Sequence, residues 1–301
     1  MSKPLLAVLP GNEQIGSRLA DRLSTDVAEF EVRSFPDEET YLRWRTSPKG
    51  RDVVVLCTLD RPDGKVVPLL FAAAAARDLG AASVGLVCPY LGYMRQDRRF
   101  RPGEAVTSAH FAAVLSAHCD WLSTVDPHLH RHGSLSDIYS VPATAVQAAP
   151  LIAEWIATSI ERPVLIGPDE ESAQWVAAVA RRIDAPHTVL RKTRHGDRDV
   201  DVSVPDLERW RAHTPVLVDD IVSTGRTMIA TLQHLADKGT LPPTCIAVHG
   251  IFAGAAYREL IDAGAGHVAT CNTIAHDSNA IDVTGALAVA IAGHLLVAPS
   301  R

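Results

Sequence analysis

The chain has 301 residues, of which 47% are hydrophobic and 21% charged, so it has the composition of a globular protein and is not a disordered or low-complexity chain. Its 29 basic against 35 acidic residues give a net charge of -6, which argues against a general nucleic-acid-binding surface and requires any anionic ligand to be held by a local cluster. The length suits two domains of about 150 residues, and the five cysteines contain no C-x-x-C pair and read as buried thiols in a reducing cytoplasm.

Apolar runs of strand length alternate with helical patterns along the chain, so an α/β protein with mainly parallel sheets is expected. The apolar run Leu5–Leu9 is too short for a signal peptide or a membrane span and reads as the first strand. A helix near Gly16–Leu23, a strand near Val53–Cys57, a helix near Val66–Leu79, a strand near Ser83–Cys88, a helix near Ser108–Ala117 and a strand near Trp121–Val125 follow. The pattern breaks around Val141–Pro150, which sets expected domains at residues 1–146 and 147–301. Strands are then expected near Val164–Ile166, Thr188–Leu190, Val216–Val218, Cys245–Gly250 and His267–Thr270, with helices near Ser172–Ile183, Arg226–Asp237 and Ala256–Ala263. The apolar run Ala286–Ala298 reads as a docked helix that packs back on the first domain, and no membrane partner is expected.

Ligands of open parallel sheets collect beyond the carboxyl ends of the strands, so the residues after each strand carry the functional reading. After Val216–Val218 come Asp219 and Asp220, then Ser223, Thr224, Gly225, Arg226 and Thr227 at the start of a helix. Paired carboxylates suit adjacent ribose hydroxyls, and a flexible loop at a helix start suits a phosphate. An acidic turn that merely caps the helix is the plainer alternative. After Trp121–Val125 comes Asp126-Pro127-His128-Leu129-His130, whose H-x-H spacing could bind zinc; an oxygen-rich Mg²⁺ site with Asp169 is the other reading. Asp169, Glu170 and Glu171 could equally serve the dipole of the helix that follows. Arg191–Arg198 reads alone as a solvated charged turn. Phe35-Pro36-Asp37-Glu38-Glu39 suits stacking on a purine with carboxylates beside it, and the arginines of Pro89–Pro102 suit a polyphosphate, a subunit contact or RNA.

In order along nearly the whole chain, Phe35-x-Asp37-x-Glu39, Pro89-Tyr90-x-Gly92-Tyr93-x-Arg95-Gln96-Asp97-Arg98, Asp126-x-His128, Pro168-Asp169, Lys192-x-Arg194 and Asp219-Asp220-Ile221 with Thr224-Gly225-x-Thr227 resemble the ribose-phosphate diphosphokinases. So do Asn272-Thr273-Ile274 and Ile281-Asp282-Val283. The resemblance implies two similar doubly wound, phosphoribosyltransferase-like domains and transfer of the diphosphoryl group of MgATP to the 1-hydroxyl of ribose 5-phosphate. It implies ATP binding by Phe35, Asp37, Glu39, Arg95, Gln96 and Asp97, and Mg²⁺ binding by His128 and Asp169. Ribose 5-phosphate would be held by Asp219 and Asp220 and by Ser223, Thr224, Gly225, Arg226 and Thr227, with Lys192 and Arg194 as the catalytic cations. A homo-oligomer built from dimers is implied as well. A phosphoribosyltransferase and a non-catalytic subunit of a synthase are the rival readings. Glu38 stands where a glycine is frequent in the family, Glu170 and Glu171 where two glycines are, and Ser223 and Arg226 where an acid and a small residue are.

Overall fold

Valine- and isoleucine-rich runs that are apolar on both faces belong in the middle of a parallel sheet covered by helices, and such runs set the architecture here. The computed structural model describes residues 3–129, 131–168, 172–194, 200–203 and 207–297, which divide into two compact units. The first contains residues 3–147, 273–275 and 283–297, and the second residues 148–272 and 276–282, the described ones in each case.

The first unit runs β1 (Leu5–Val8), α1 (Glu13–Leu23), β2 (Asp26–Val27), a hairpin of β3 (Phe30–Ser34) and β4 (Thr40–Trp44), β5 (Asp52–Leu56), α2 (Asp63–Asp78), β6 (Ser83–Cys88), α3 (Thr107–Ser116), β7 (Trp121–Val125) and β8 (Ala143–Val146). Six of these strands form a parallel sheet in the order β2-β1-β5-β6-β7-β8. Strands β6 and β7 are buried throughout. From β1 the chain first steps outward to β2 and then returns across β1 to β5. Right-handed crossovers in the two directions put α1 and α2 on opposite faces, and they leave a crevice at the switch between β1 and β5.

In the second unit, α4 (Ala149–Ser159) leads into β9 (Pro163–Gly167), α5 (Ala173–Arg182), β10 (His187–Val189), a hairpin of β11 (Arg191–Arg194) and β12 (Val200–Ser203), β13 (Thr214–Val222), α6 (Arg226–Asp237), β14 (Thr244–Gly250), α7 (Ala256–Asp262), β15 (His267–Cys271) and β16 (Asn279–Ile281). Its parallel sheet has the order β10-β9-β13-β14-β15-β16. The two orders are the same path through a sheet, down to the antiparallel hairpin inserted after the second strand. Strands β9 and β13 therefore flank the second switch point, the counterpart of β1 and β5.

Several elements differ from the pattern expected of the sequence. The break at Val141–Pro150 contains β8, an edge strand whose small alanines weaken the apolar signal, and α4, which opens with Pro150 in its first turn where proline costs no hydrogen bond. Arg191–Arg194 is the first strand of a hairpin and not a turn. The hairpin β3–β4 reads as mixed in sequence because its faces are only half-buried, and a stacked Phe30–Trp44 pair, with ring centroids 5.6 Å apart, holds its open end.

All five cysteines are buried and free, and burial pushes the thiols of Cys57, Cys119 and Cys245 up to about 12. They act as small core residues and not as nucleophiles. Among the described residues, no helix is long and apolar enough to cross a membrane.

The last helix, α8 (Thr284–Val297), belongs to the first unit and packs against α1, β7 and β8. Gly85 on β6 makes its seat: a Cβ there would fall 2.0 Å from the indole of Trp121 on β7. The indole lies flat over β6, and His294 stacks on it at 4.6 Å with 7° between the rings. Nε2 of His294 and Oγ1 of Thr144 on β8 are hydrogen-bonded at 2.9 Å. Burial lowers the His294 pKa, so the folded protein binds a proton there less readily than the unfolded chain. The stabilisation is complete above the unfolded value of about 6.5 and is lost as the pH falls below it. We expect the thermal midpoint to fall between pH 7 and pH 5, and His294→Gln to remove part of that fall. Losing the ring stack itself should cost on the order of 1 kcal/mol at pH 7, measured by denaturant unfolding.

Candidate active site

Strand β13 is the longest among the described residues, and its pairing with β14 continues past the apolar run through Asp219↔Ala247 to Val222↔Gly250. The sequence pattern ends the strand at Val218, because two acids in succession have no place in a buried sheet; the backbone ladder, blind to side chains, carries on. Asp219 and Asp220 are half-buried. Each folds forward along the strand: Oδ1 of Asp219 accepts the N–H of Asp220 at 2.9 Å, and Oδ1 of Asp220 accepts that of Ile221 at 2.8 Å. These bonds hold both carboxylates beside the backbone at the sheet's carboxyl edge.

The strand's exit is clamped by the segment after β14. The carbonyl of Val222 accepts the N–H groups of Ile251 and Phe252 at 3.0 and 3.1 Å, and that of Ser223 accepts the N–H of Ala253 at 3.0 Å. Phe252, Tyr257 and His276 form an aromatic cluster behind this clamp, with centroids 4.6 to 5.2 Å apart. Gly250 makes room for it, since a Cβ there would meet the Phe252 ring at 2.5 Å.

The chain then turns at Gly225, with φ +66°, directly into α6. No side chain caps this helix, and its first internal bond is Ile229 N–H to the Gly225 carbonyl. Helix capping by Ser223 or Thr224 is thus not what this loop does. The N–H groups of the first turn are left pointing outward at the positive end of a 12-residue helix, with the Thr224 and Arg226 side chains exposed beside them. Such an arrangement can receive an anion just beyond an acid pair.

Across the switch point, β9 ends at Gly167, which needs to be glycine because a Cβ would sit 2.6 Å from Oγ of Ser172. Asp169, Glu170 and Glu171 follow and lie outside the described residues. Lys192 and Arg194 are on β11, their backbone paired with Val202 and Val200 of β12.

The other candidate residues are in the first unit. Phe35 to Glu39 form the tip of the β3–β4 hairpin, closed by the N–H of Phe35 on the Glu39 carbonyl at 2.8 Å. Phe35, Asp37 and Glu39 are exposed there; Phe35 meets Tyr41 edge-on at 5.7 Å, and the Arg33 guanidinium lies 4.0 Å from the Tyr41 ring. Glu38 has φ +70°, which explains why glycine suits this position and means that this chain accepts backbone strain in the loop. A cavity of about 850 Å³ is lined by residues of both the hairpin and α2, with Glu38 and Glu39 on one side and Lys65 on the other.

Arg95 and Gln96 follow β6, with Arg95 exposed and the Gln96 carbonyl accepting the N–H of Ser108 at 3.3 Å. The loop is held on one side by the Tyr93 hydroxyl donating to Asp63, and on the other by Glu104 Oε2 accepting the N–H groups of Phe100 and Arg101 at 2.8 and 3.0 Å. Asp97 differs from its neighbours: it is buried and paired with Arg131. Sequence reading does not single out Arg131, which sits among three histidines that draw the attention. His128 lies half-buried just past β7, and His130 lies outside the described residues.

Two parallel sheets of one path, one of them ending in an acid pair and an uncapped N–H cradle at its switch point, define a protein of the phosphoribosyltransferase type. Comparison with known proteins agrees. Residues 5–118 match the N-terminal domain of ribose phosphate pyrophosphokinase, and residues 134–285 match the phosphoribosyl transferase domain. Ribose-phosphate pyrophosphokinases of Methanopyrus kandleri and Methanothermobacter thermautotrophicus are each 32% identical, over 92% of this chain and 95% and 96% of theirs. The crystal structure of phosphoribosylpyrophosphate synthetase from Mycobacterium smegmatis has the same fold, with a TM-score of 0.85 and 23% identity over 98% of this chain and 99% of that one. The chain belongs to the ribose-phosphate pyrophosphokinase family, and its activity class is that of the family.

Gly225 offers a test of the cradle. A Cβ there would make ordinary contact with Leu260 at 3.5 Å, so Gly225→Ala meets backbone strain alone, about 1–2 kcal/mol. We expect a folded variant with a thermal midpoint a few degrees lower and a raised KM for the sugar phosphate. An unchanged KM would remove the loop from the site.

Proposed function

We propose that the protein transfers the β,γ-diphosphoryl group of ATP to the 1-hydroxyl of ribose 5-phosphate, giving 5-phosphoribosyl 1-diphosphate and AMP. The observation that carries this reading is the uncapped N-terminus of α6 directly behind Asp219 and Asp220. An acid pair accepts two neighbouring ribose hydroxyls in charge-assisted bonds, and the N–H groups around Thr224, Gly225, Arg226 and Thr227 receive the 5-phosphate. Ser223 fixes the loop through its carbonyl, and Arg226 adds a full positive charge to the cradle.

In the transfer, the 1-hydroxyl oxygen bonds to the β-phosphorus of ATP, the hydroxyl proton leaves, and the bond from that phosphorus to the α,β-bridging oxygen breaks so that AMP departs with the oxygen. The chemistry needs no covalent enzyme intermediate; its demands are alignment and neutralisation of charge on the moving group. Lys192 and Arg194 supply the neutralising charge, a role in which one cation is worth about 10²–10³ in rate. Phe35 stacks on adenine, Asp37 and Glu39 accept from its amino group or ribose, and Arg95 and Gln96 bind the nucleotide from the other side.

His128 and Asp169 hold Mg²⁺ in this reading. Among the described residues no three His, Cys, Asp or Glu side chains gather to hold a metal by themselves. A cation that takes one or two protein ligands and the rest from substrate phosphates fits this sparse set. When bound, it neutralises the phosphate oxygens of ATP. A homo-oligomer built from dimers is part of the proposal: Val67 and Phe71, one turn apart on α2, are 44% and 49% exposed, a face that a second copy would cover. The five free buried thiols suit a reducing cytoplasm.

Incubation with ATP, Mg²⁺ and ribose 5-phosphate, with the products resolved, should yield AMP and phosphoribosyl diphosphate in equal amounts; ADP, or no turnover, refutes the proposal. Lys192→Ala should lower kcat by about 10²–10³ while moving either KM far less. A variant that turns over at the wild-type rate would take Lys192 out of the chemistry.

A further inference from the structure

The loop between β6 and α3 contains Arg95, Arg98, Arg99 and Arg101, and within it one acid is sequestered. The Asp97 side chain is 2% exposed, and both its oxygens accept from Nη1 of Arg131, each at 3.1 Å. Arg131 comes from a different segment, three residues past His128 on the exit from β7, the strand that neighbours β6. A carboxylate enclosed in this way has no surface left for a ligand; what it can do is fix the cation it holds.

That cation is only partly used by Asp97. The Arg131 side chain is 37% exposed, and among the described residues its hydrogen bonds leave from Nη1 alone, so the Nε and Nη2 donors of the guanidinium remain. Its Cζ lies 5.8 Å from the centroid of Phe100, and Cζ of Arg98 lies 4.7 Å from the same ring, which is 54% exposed. Two guanidiniums from separate segments thus meet over one exposed aromatic ring, with Arg95 and Arg99 on the same loop. Glu104 is occupied by backbone N–H groups and offers this cluster no further compensation than its own charge. Positive charges gathered at a strand's carboxyl end, one of them anchored from behind by a buried acid, make a site for a multiply charged anion.

We propose that Arg131 is a further ligand of the nucleotide polyphosphate and that Asp97 is its positioning residue, acting through Arg131 and not on the nucleotide. This rests on the ATP reading of Arg95 and Gln96. It assigns to the segment after His128 a cation for the phosphates, and it turns the buried acid of the arginine loop into the part that sets where that cation stands.

The test compares Arg131→Gln, Arg131→Lys, Asp97→Asn and the double variant Arg131→Gln/Asp97→Asn with the wild type. It reads KM for ATP, KM for ribose 5-phosphate, kcat, the affinity for AMP and the thermal midpoint. A lost charge-assisted bond to phosphate should raise KM for ATP by about tenfold or more in Arg131→Gln. Affinity for AMP, which lacks the β- and γ-phosphates, should change by less than about twofold, as should KM for ribose 5-phosphate. Asp97→Asn should show the same selective rise, the double variant should be no worse than Arg131→Gln, and Arg131→Lys should recover part of the loss. A purely structural pair would lower the thermal midpoint and affect AMP, ATP and ribose 5-phosphate alike, and that result overturns the inference. So does a wild-type KM for ATP in Arg131→Gln. If Asp97→Asn fails to fold, the comparison of Arg131→Gln with Arg131→Lys decides by the same readings. A wild-type protein with no affinity for ATP at all would refute the proposed function itself, whereas a wild type that uses ATP alongside an indifferent Arg131→Gln refutes this inference alone.

Discussion

A parallel sheet directs the carboxyl ends of all its strands to one edge, and every candidate residue of the second unit follows from that constraint. Once the path steps from β9 out to β10 and back to β13, the helices on either side leave in opposite directions and a crevice opens between the two strands. The acid pair lies at the end of β13, the residues after Gly167 begin beside it, and the β11–β12 hairpin is inserted in the connection that makes the return. The first unit follows the same path, and its own β3–β4 hairpin fills the equivalent insertion with the residues suited to a purine. In the proposed reading, one topology used twice takes two different ligand chemistries from what its loops carry.

Backbone groups do much of the holding. The exit of β13 is fixed by three N–H groups from the segment after β14, the two aspartates are steadied by N–H groups of their own strand, and the cradle before α6 is made of N–H groups that no side chain satisfies. Such groups survive every substitution except proline, but they depend on the conformations that present them. Gly225 is therefore favoured as glycine by its φ, and Gly250 and Gly167 are required as glycine by the space their neighbours take. Glu38 shows the opposite choice: a side chain where the backbone favours none, at an exposed hairpin tip where strain has little else to disturb.

The central strands were legible because they are buried on both faces. Ser83–Cys88 and Trp121–Val125 appear in the structure with the bounds read from the sequence, and Val53–Cys57 within one residue. Edge elements were not: β2 has two residues and both are exposed, β8 is mostly alanine and threonine, and β11 is written in charged residues. The same limit applies to β13, whose last four residues include the two acids that mark the site and hide the strand. The family was legible in the order of the motifs, and the match to the pyrophosphokinase family bears that out. What the sequence could not supply was pairing. Asp97 and Arg131 are 34 residues apart, and nothing in either segment shows that the acid faces inward to meet a base arriving from the next strand.

The cradle at the end of β13 is the claim on which the account stands, and a crystal structure of the protein with ribose 5-phosphate tests it most directly. We expect the 5-phosphate within hydrogen-bonding distance of the backbone N–H groups of Thr224 to Thr227, and the ribose hydroxyls on Asp219 and Asp220. A phosphate bound instead on the arginine loop after β6, with the β13 edge left to water, would contradict it.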